Sequence, residues 1–321
     1  MTRRGVIVGK FYPPHRGHKY LIDTGRSQVD HLTVILCWKP GENPPGELRA
    51  GWLREIHPDV EVIAIKDTLP DDDSRAWAEN TIKILGYVPD VVFTSEDYGY
   101  PYAAFMGCEH VQVDKARQAV PVSGTAVRAS PLKNWDFIEP CVRAFYAKRV
   151  CLVGAESTGK TTLAAALAEH YRTNWVTEYG REYCEIKFRE SADVPWESRE
   201  FETIAREQCR REDAAARESN RLLVCDTDAF ATSIWHRRYL EKRSPAVEAL
   251  AAPRRYDLYL LTDAAIPFVQ DGTRDGEHIR EWMHQTFVEE LEATGRPYKI
   301  VSGSPEERLR QSIALIDPLL Q

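Results

Sequence analysis

Two histidines three residues apart, His15 and His18, close the run Gly9-Lys10-Phe11-Tyr12-Pro13-Pro14-His15-Arg16-Gly17-His18, and a second run, Gly154-Ala155-Glu156-Ser157-Thr158-Gly159-Lys160-Thr161, ends on a lysine and a threonine. Imidazoles at that spacing on the mouth of a helix can face one phosphate, while Gly9 and Gly17 admit a close approach of backbone to it. The second run fits G-x-x-x-x-G-K-[ST], in which loop amides wrap the phosphates of ATP. Lys160 then reaches the β- and γ-phosphates and Thr161 ligates magnesium. Two phosphate-handling sites on one polypeptide are expected.

Carboxylates fall where the second site needs them. Glu178 and Asp226 each follow an apolar run that reads as a strand, at the carboxyl edge where open α/β sheets bind ligands. Asp226 is expected to hold magnesium, and Glu178 to orient or deprotonate an attacking hydroxyl. The stretch from Gln270 to Arg280 mixes glycines with Arg274 and Arg280. It reads as a lid whose closure brings an arginine to the transferring phosphate and excludes water.

The elements that must position these groups alternate. Apolar runs at Gly5 to Val8, His31 to Cys37, Val60 to Ile65, Val91 to Thr94 and Val111 to Val113 are separated by helical patterns, a parallel α/β rhythm. The rhythm restarts at Arg149 to Val153 and continues at Trp175 to Thr177, Leu222 to Cys225, Tyr256 to Leu261 and Tyr298 to Val301. Two α/β domains are predicted, 1–147 and 148–321, each with a parallel sheet. The Pro/Gly-rich piece Pro40 to Gly46 is expected to be a mobile loop beside the first site, neither helix nor central strand.

With 43% hydrophobic and 28% charged residues the composition is that of a globular chain, and no window approaches a membrane span. A net charge of −7 argues against a nucleic-acid footprint. Arginines between Arg199 and Arg221 alternate with glutamates, the pattern of a solvated helix. Seven scattered cysteines without a Cys-x-x-Cys pair are expected to be reduced and mostly buried. Nothing at the N-terminus reads as a secretory signal, which predicts a cytoplasmic protein with small-molecule partners. Self-association as a homo-oligomer is neither required nor opposed by this composition.

The first run is similar to the signature of the HxGH nucleotidyltransferase superfamily, Rossmann-like enzymes that join an acceptor to the α-phosphate of a nucleoside triphosphate and release pyrophosphate. Ser123-Gly124-Thr125-Ala126-Val127-Arg128 resembles the S-x-T-x-x-R element of that superfamily. The resemblance implies that Gly9, Phe11, Gly17, Ser123 and Thr125 hold ATP, with His15, His18, Lys10 and Arg128 stabilising charge during transfer. Ser95 to Pro101, and the stretch from Val122 to Trp135, resemble the nicotinamide-nucleotide branch of NadR-type proteins. There Trp77 or Tyr98 would stack on a cationic nicotinamide ring.

The second half resembles the P-loop ribosylnicotinamide kinase domain of the same NadR-type family. It does so through Glu156-Ser157-Thr158-Gly159-Lys160-Thr161-Thr162, the Glu178-Tyr179-Gly180-Arg181-Glu182 string and Asp226-Thr227-Asp228. Tyr179, Arg181 and Asp228 would then bind substrate, and Gly154, the P-loop residues, Arg274 and Arg280 would bind ATP. The implied protein phosphorylates nicotinamide riboside to the mononucleotide (NMN) and adenylylates NMN to NAD, using magnesium and ATP in both steps. The helix-turn-helix repressor domain of some members is not expected here, since the first strand starts within a few residues of Met1. A kinase-adenylyltransferase fusion for a flavin or pantetheine cofactor shares both phosphate motifs, and a non-catalytic NAD or ATP sensor is the alternative from a different class. His15, His18, Lys160 and Thr161 argue against the sensor, which need not keep transfer chemistry.

Overall fold

The structure, a computed structural model, describes residues 2–189, 194–265 and 279–321. The chain divides into two compact units, Met1–Val142 and Arg143–Gln321.

In the first unit, strands β1 (Arg4–Gly9), β2 (His31–Trp38), β3 (Glu61–Lys66), β4 (Val91–Thr94) and β5 (Glu109–Gln112) form one sheet in the order β3-β2-β1-β4-β5. Every neighbouring pair is parallel. In the second, β6 (Lys148–Val153), β7 (Trp175–Val176), β8 (Leu222–Asp226), β9 (Leu258–Thr262) and β10 (Tyr298–Val301) follow the order β10-β9-β6-β8-β7, again all parallel. Both sheets thus reverse strand order beside their first strand, which opens a crevice at the carboxyl ends.

Strand residues alternate between two faces, and each face has its own core. Ile7, Val34 and Leu36 pack on one side of the first sheet, and Val6, Ile35 and Cys37 on the other. Val150, Leu152 and Val224 lie on one side of the second sheet, and Cys151, Val153 and Leu223 on the other. Runs buried on both faces explain why these strands read as continuous apolar stretches in the sequence.

Helices α1 (Arg16–Arg26), α2 (Gly46–Ile56), α3 (Ser74–Leu85), α4 (Gly99–Met106), α5 (Gly124–Ala129) and α6 (Pro140–Tyr146) follow the strands of the first sheet. The segment expected to be a mobile loop makes contacts with the turn after β1 and with α2. Asn43 N–H donates to the Tyr12 hydroxyl at 2.9 Å and Glu42 is paired with the buried Arg49. Its last residue also starts α2, contrary to the sequence reading, with Pro45 outside the helix as its N-cap. Proline is tolerated there because no intrahelical N–H is needed. A β-carbon on Gly46 would lie 2.2 Å from Trp38 Cγ, so glycine is required for the helix to approach β2.

The second unit carries α7 (Lys160–Tyr171), α8 (Tyr179–Lys187), α9 (Ser198–Glu218), α10 (Ala229–Leu240), α11 (Pro245–Ala251), α12 (Arg280–Ala293) and α13 (Pro305–Ile316). The arginine-rich segment is indeed a helix, α9. Its outer face is laced with ion pairs such as Arg206 to Glu202 and Arg210 to Glu207, while Phe201, Ile204, Gln208 and Glu212 are buried. Cys37, Cys141, Cys151 and Cys225 are buried thiols, and Cys108, Cys184 and Cys209 are partly exposed. No helix among the described residues is long and apolar enough to cross a membrane.

Candidate functional site

Each sheet carries a cavity at its carboxyl edge. In the first unit it measures about 690 Å³, and all the residues expected there line it: Gly9, Lys10, Phe11, His15, Gly17 and His18 from the β1–α1 turn, Trp77 and Tyr98, then Ser123, Thr125 and Arg128.

His15 is the N-cap of α1. Its Nδ1 accepts from the backbone N–H of Gly17 at 3.1 Å and of His18 at 3.4 Å. An accepting Nδ1 leaves the proton on Nε2, and that Nε2 is buried without a hydrogen-bond partner. The His18 ring stacks on it, with centroids 3.7 Å apart. Burial, then the positive Arg117, hold His15 down at about 4. Burial and the neighbouring His15 push His18 well below its ordinary value. At neutral pH the pair is therefore two uncharged imidazoles, and the site's positive charge comes from elsewhere.

Arg128 is one source. Its guanidinium donates to the Tyr12 carbonyl and, at 3.1 Å, to the Thr125 hydroxyl, and stands over the Tyr12 ring. Ser123 caps α5 by accepting from Ala126 N–H at 3.1 Å. Lys10 is bonded to Asp71 at 3.0 Å and lies 3.7 Å from Asp67. The two aromatics are fixed by their polar tips: Trp77 Nε1 donates to the Pro70 carbonyl and Tyr98 Oη to that of Val8, both at 2.9 Å.

Sequence reasoning missed Asp67, Asp71 and Arg117, which line the cavity, and Lys39, which pairs with Asp67 without lining it. The Asp67 side chain is 1% exposed and reaches Lys39 at 3.4 Å, and Arg117 pairs with Glu96 at 3.2 Å. These residues belong to no string with a fixed spacing. The one available signal was position, since Asp67 directly follows β3 and Lys39 directly follows β2. Cys37 also lines the cavity, its thiol pushed up to about 12 by burial and by Asp67.

The second cavity, about 360 Å³, lies over the loop between β6 and α7. Glu156, Ser157, Thr158, Gly159, Lys160, Thr161, Thr162, Glu178 and Arg181 line it. The loop is shaped by backbone that side chains resist: Gly154 has φ 142° and a β-carbon there would lie 2.5 Å from Thr262 Oγ1. Lys160 folds back, its Nζ donating to the carbonyls of Gly154 at 3.0 Å and Ala155 at 2.8 Å. Thr161 Oγ1 donates to Asp226 Oδ2 at 2.5 Å, and Asp226 Oδ1 is buried without a hydrogen-bond partner. Burial raises Glu178 and Asp226 above the usual carboxylate range, with Lys160 opposing in both cases.

Other expected residues stand apart from the cavity. Asp228 is 1% exposed and outside the cavity lining; it caps α10 through Ala231 N–H at 2.9 Å and accepts from the Tyr259 hydroxyl at 2.8 Å, so both of its oxygens are engaged within the core. The Tyr179 ring lies under the Arg211 guanidinium, 4.5 Å from it, and does not line the cavity. Arg280 is buried at the start of α12, while Arg274 and the rest of the expected lid, 270–278, lie outside the described residues. The unforeseen wall is aromatic: Trp196, Phe201, Trp235 and Tyr239. Trp235 and Tyr239, one helical turn apart on α10, stack with centroids 6.2 Å apart. Such spacing in a sequence reads as ordinary core packing. Cys184 completes the lining and is partly exposed.

The AAA-domain family model matches residues 149–308. The chain is 30% identical over 312 residues, 90% of its length, to the trifunctional NAD biosynthesis/regulator protein NadR of Escherichia coli, of which it covers 76%. To the protein of the same name from Salmonella typhimurium it is 30% identical over 310 residues, 89% of this chain and 75% of that one. Two solved structures share its fold, each over 99% of this chain and 96% of the other. They are NadR protein in complex with NR, at TM-score 0.81 and 21% identity, and NadR protein in complex with NAD and AMP-PNP, at 0.83 and 22%.

Proposed function

The chain belongs to the NadR family, and from that premise we propose that it is a bifunctional NAD salvage enzyme: unit 143–321 phosphorylates nicotinamide riboside with ATP, and unit 1–142 joins the resulting mononucleotide to the adenylyl group of a second ATP. Two separate cavities, one built on paired imidazoles and one on a glycine-turned loop with its lysine, support this reading most directly.

In the kinase unit the substrate is a pyridinium cation on a ribose. The faces of Trp196, Trp235 and Tyr239 suit that cation, and the ribose hydroxyl would be left toward the P-loop. Glu178, raised by burial, is the base that takes the hydroxyl proton. Lys160 exchanges its bonds to Gly154 and Ala155 for the β- and γ-phosphate oxygens. Thr161 and the unpartnered oxygen of Asp226 are hard donors that fit magnesium, which when bound to ATP offsets phosphate charge.

In the other unit the nucleophile is already a phosphate oxygen of NMN, so the protein aligns it with the α-phosphate and holds the charge that builds there. His15 Nε2–H is an unsatisfied donor suited to that phosphate. Arg128 and Lys10 supply positive charge for the departing pyrophosphate.

Incubation with nicotinamide riboside and Mg-ATP is expected to yield ADP and NMN, followed by NAD and pyrophosphate. Phosphorylation of riboflavin or of a pantetheine precursor, with the riboside untouched, would defeat the proposal.

A further inference from the structure

Glu178 lies just after β7 and Asp226 is the last residue of β8; the pairing of Val176 with Cys225 brings the two strand ends together, and beyond it the spacing of the carboxylates depends on what holds the backbone that follows each of them. A single side chain from a third element spans the two. Gln208, in the middle of α9 and 1% exposed, uses both ends of its amide. Its Oε1 accepts from the backbone N–H of Tyr179, the residue after Glu178, at 3.0 Å. Its Nε2 donates to the backbone carbonyl of Thr227, the residue after Asp226, at 3.4 Å. An N–H on one side and a C=O on the other permit only one orientation of the amide.

The backbone at Thr227 shows why a strut is needed. Thr227 has φ 70°, a left-handed conformation that a β-branched residue avoids unless its surroundings impose it. Its N–H is held by the Leu152 carbonyl at 3.0 Å and its carbonyl by Gln208. The same helix grips α8 a turn further on, where Arg211 donates to both carboxylate oxygens of Glu182 at 2.5 and 2.8 Å. Arg211 thus sets the pose of α8, and Gln208 sets where the loop before it begins.

We propose that Gln208 is a positioning residue for phosphoryl transfer, a buried amide strut that fixes the spacing between the carboxylates of Glu178 and Asp226. It touches neither nucleotide nor acceptor. The inference rests on the kinase reading above, because it gives those carboxylates their work.

The test compares wild type, Gln208→Met and Gln208→Glu in the full chain. Methionine keeps the length and bulk but removes both bonds; glutamate keeps an acceptor for Tyr179 N–H but turns an oxygen on the Thr227 carbonyl. The expected result is a fall in kcat for riboside phosphorylation of about 10- to 100-fold in both variants, with KM for ATP changed less than about threefold. Adenylyl transfer from NMN by the same preparations should stay at wild-type rate, which counts molecules with an intact first unit, and a thermal unfolding transition of wild-type amplitude counts those whose second unit is folded. A packing role alone leaves Gln208→Met at wild-type kcat, and that result overturns the proposal, as does a loss confined to KM for ATP. If Gln208→Met does not accumulate folded, Gln208→Glu decides alone by the same criteria. A wild-type chain that does not phosphorylate the riboside would instead remove the kinase reading.

Discussion

The adenylyl transfer proposed for the first cavity would depend on a neutral His15 ring. Because its Nδ1 is committed to the amides of Gly17 and His18, the ring can give a hydrogen bond only from Nε2. An NMR titration of the imidazoles is expected to show no His15 protonation between about pH 8 and pH 5, since burial holds it at about 4. The stability consequence has a definite sign: between pH 6.5 and 4 the unfolded chain takes up a proton that the folded one refuses. This ring therefore favours unfolding by about 3 kcal/mol as the pH falls through that window, and contributes nothing above it. His18→Ala is expected to cost adenylyl transfer about 100-fold or more while sparing the riboside kinase, and Lys160→Ala to do the reverse, both read by separate product assays. Loss of both activities in either folded variant would contradict two independent sites.

At the level of elements, the strands were legible because burial on both faces leaves unbroken apolar runs, and His15 and Lys160 because fixed spacing within one turn is written in consecutive letters. What escaped the sequence was assembled from distant pieces: Asp67 follows β3, and Trp196 and Trp235 are brought to one wall by separate segments. Asp228 shows the converse, a carboxylate two residues from Asp226 that the sequence offers for substrate and whose oxygens are engaged by α10 and by Tyr259. Asp228→Ala is therefore expected to destabilise by about 2 kcal/mol in denaturant titration, through the lost cap and an orphaned hydroxyl. KM for the riboside should be unchanged; a raised KM without loss of stability would return Asp228 to the substrate site.

At the level of the whole molecule, two cavities in two units predict that intact partners can share the work. His18→Ala and Lys160→Ala chains, each unable to make NAD from nicotinamide riboside alone, are expected to make it when mixed, after a lag while free NMN accumulates. Absence of NAD from that mixture would mean that the intermediate is not released. The distribution of thiols gives a further handle. Burial raises Cys37 to about 12 and Cys108, Cys141 and Cys209 to about 11, and holds Cys151 and Cys225 well above the ordinary value, so these six resist alkylation at neutral pH. Cys184 is partly exposed and opens onto the second cavity. Peptide mapping after maleimide treatment is expected to find that one sulfur shielded by Mg-ATP with riboside but not by NMN, a covalent footprint of the proposed kinase site alone.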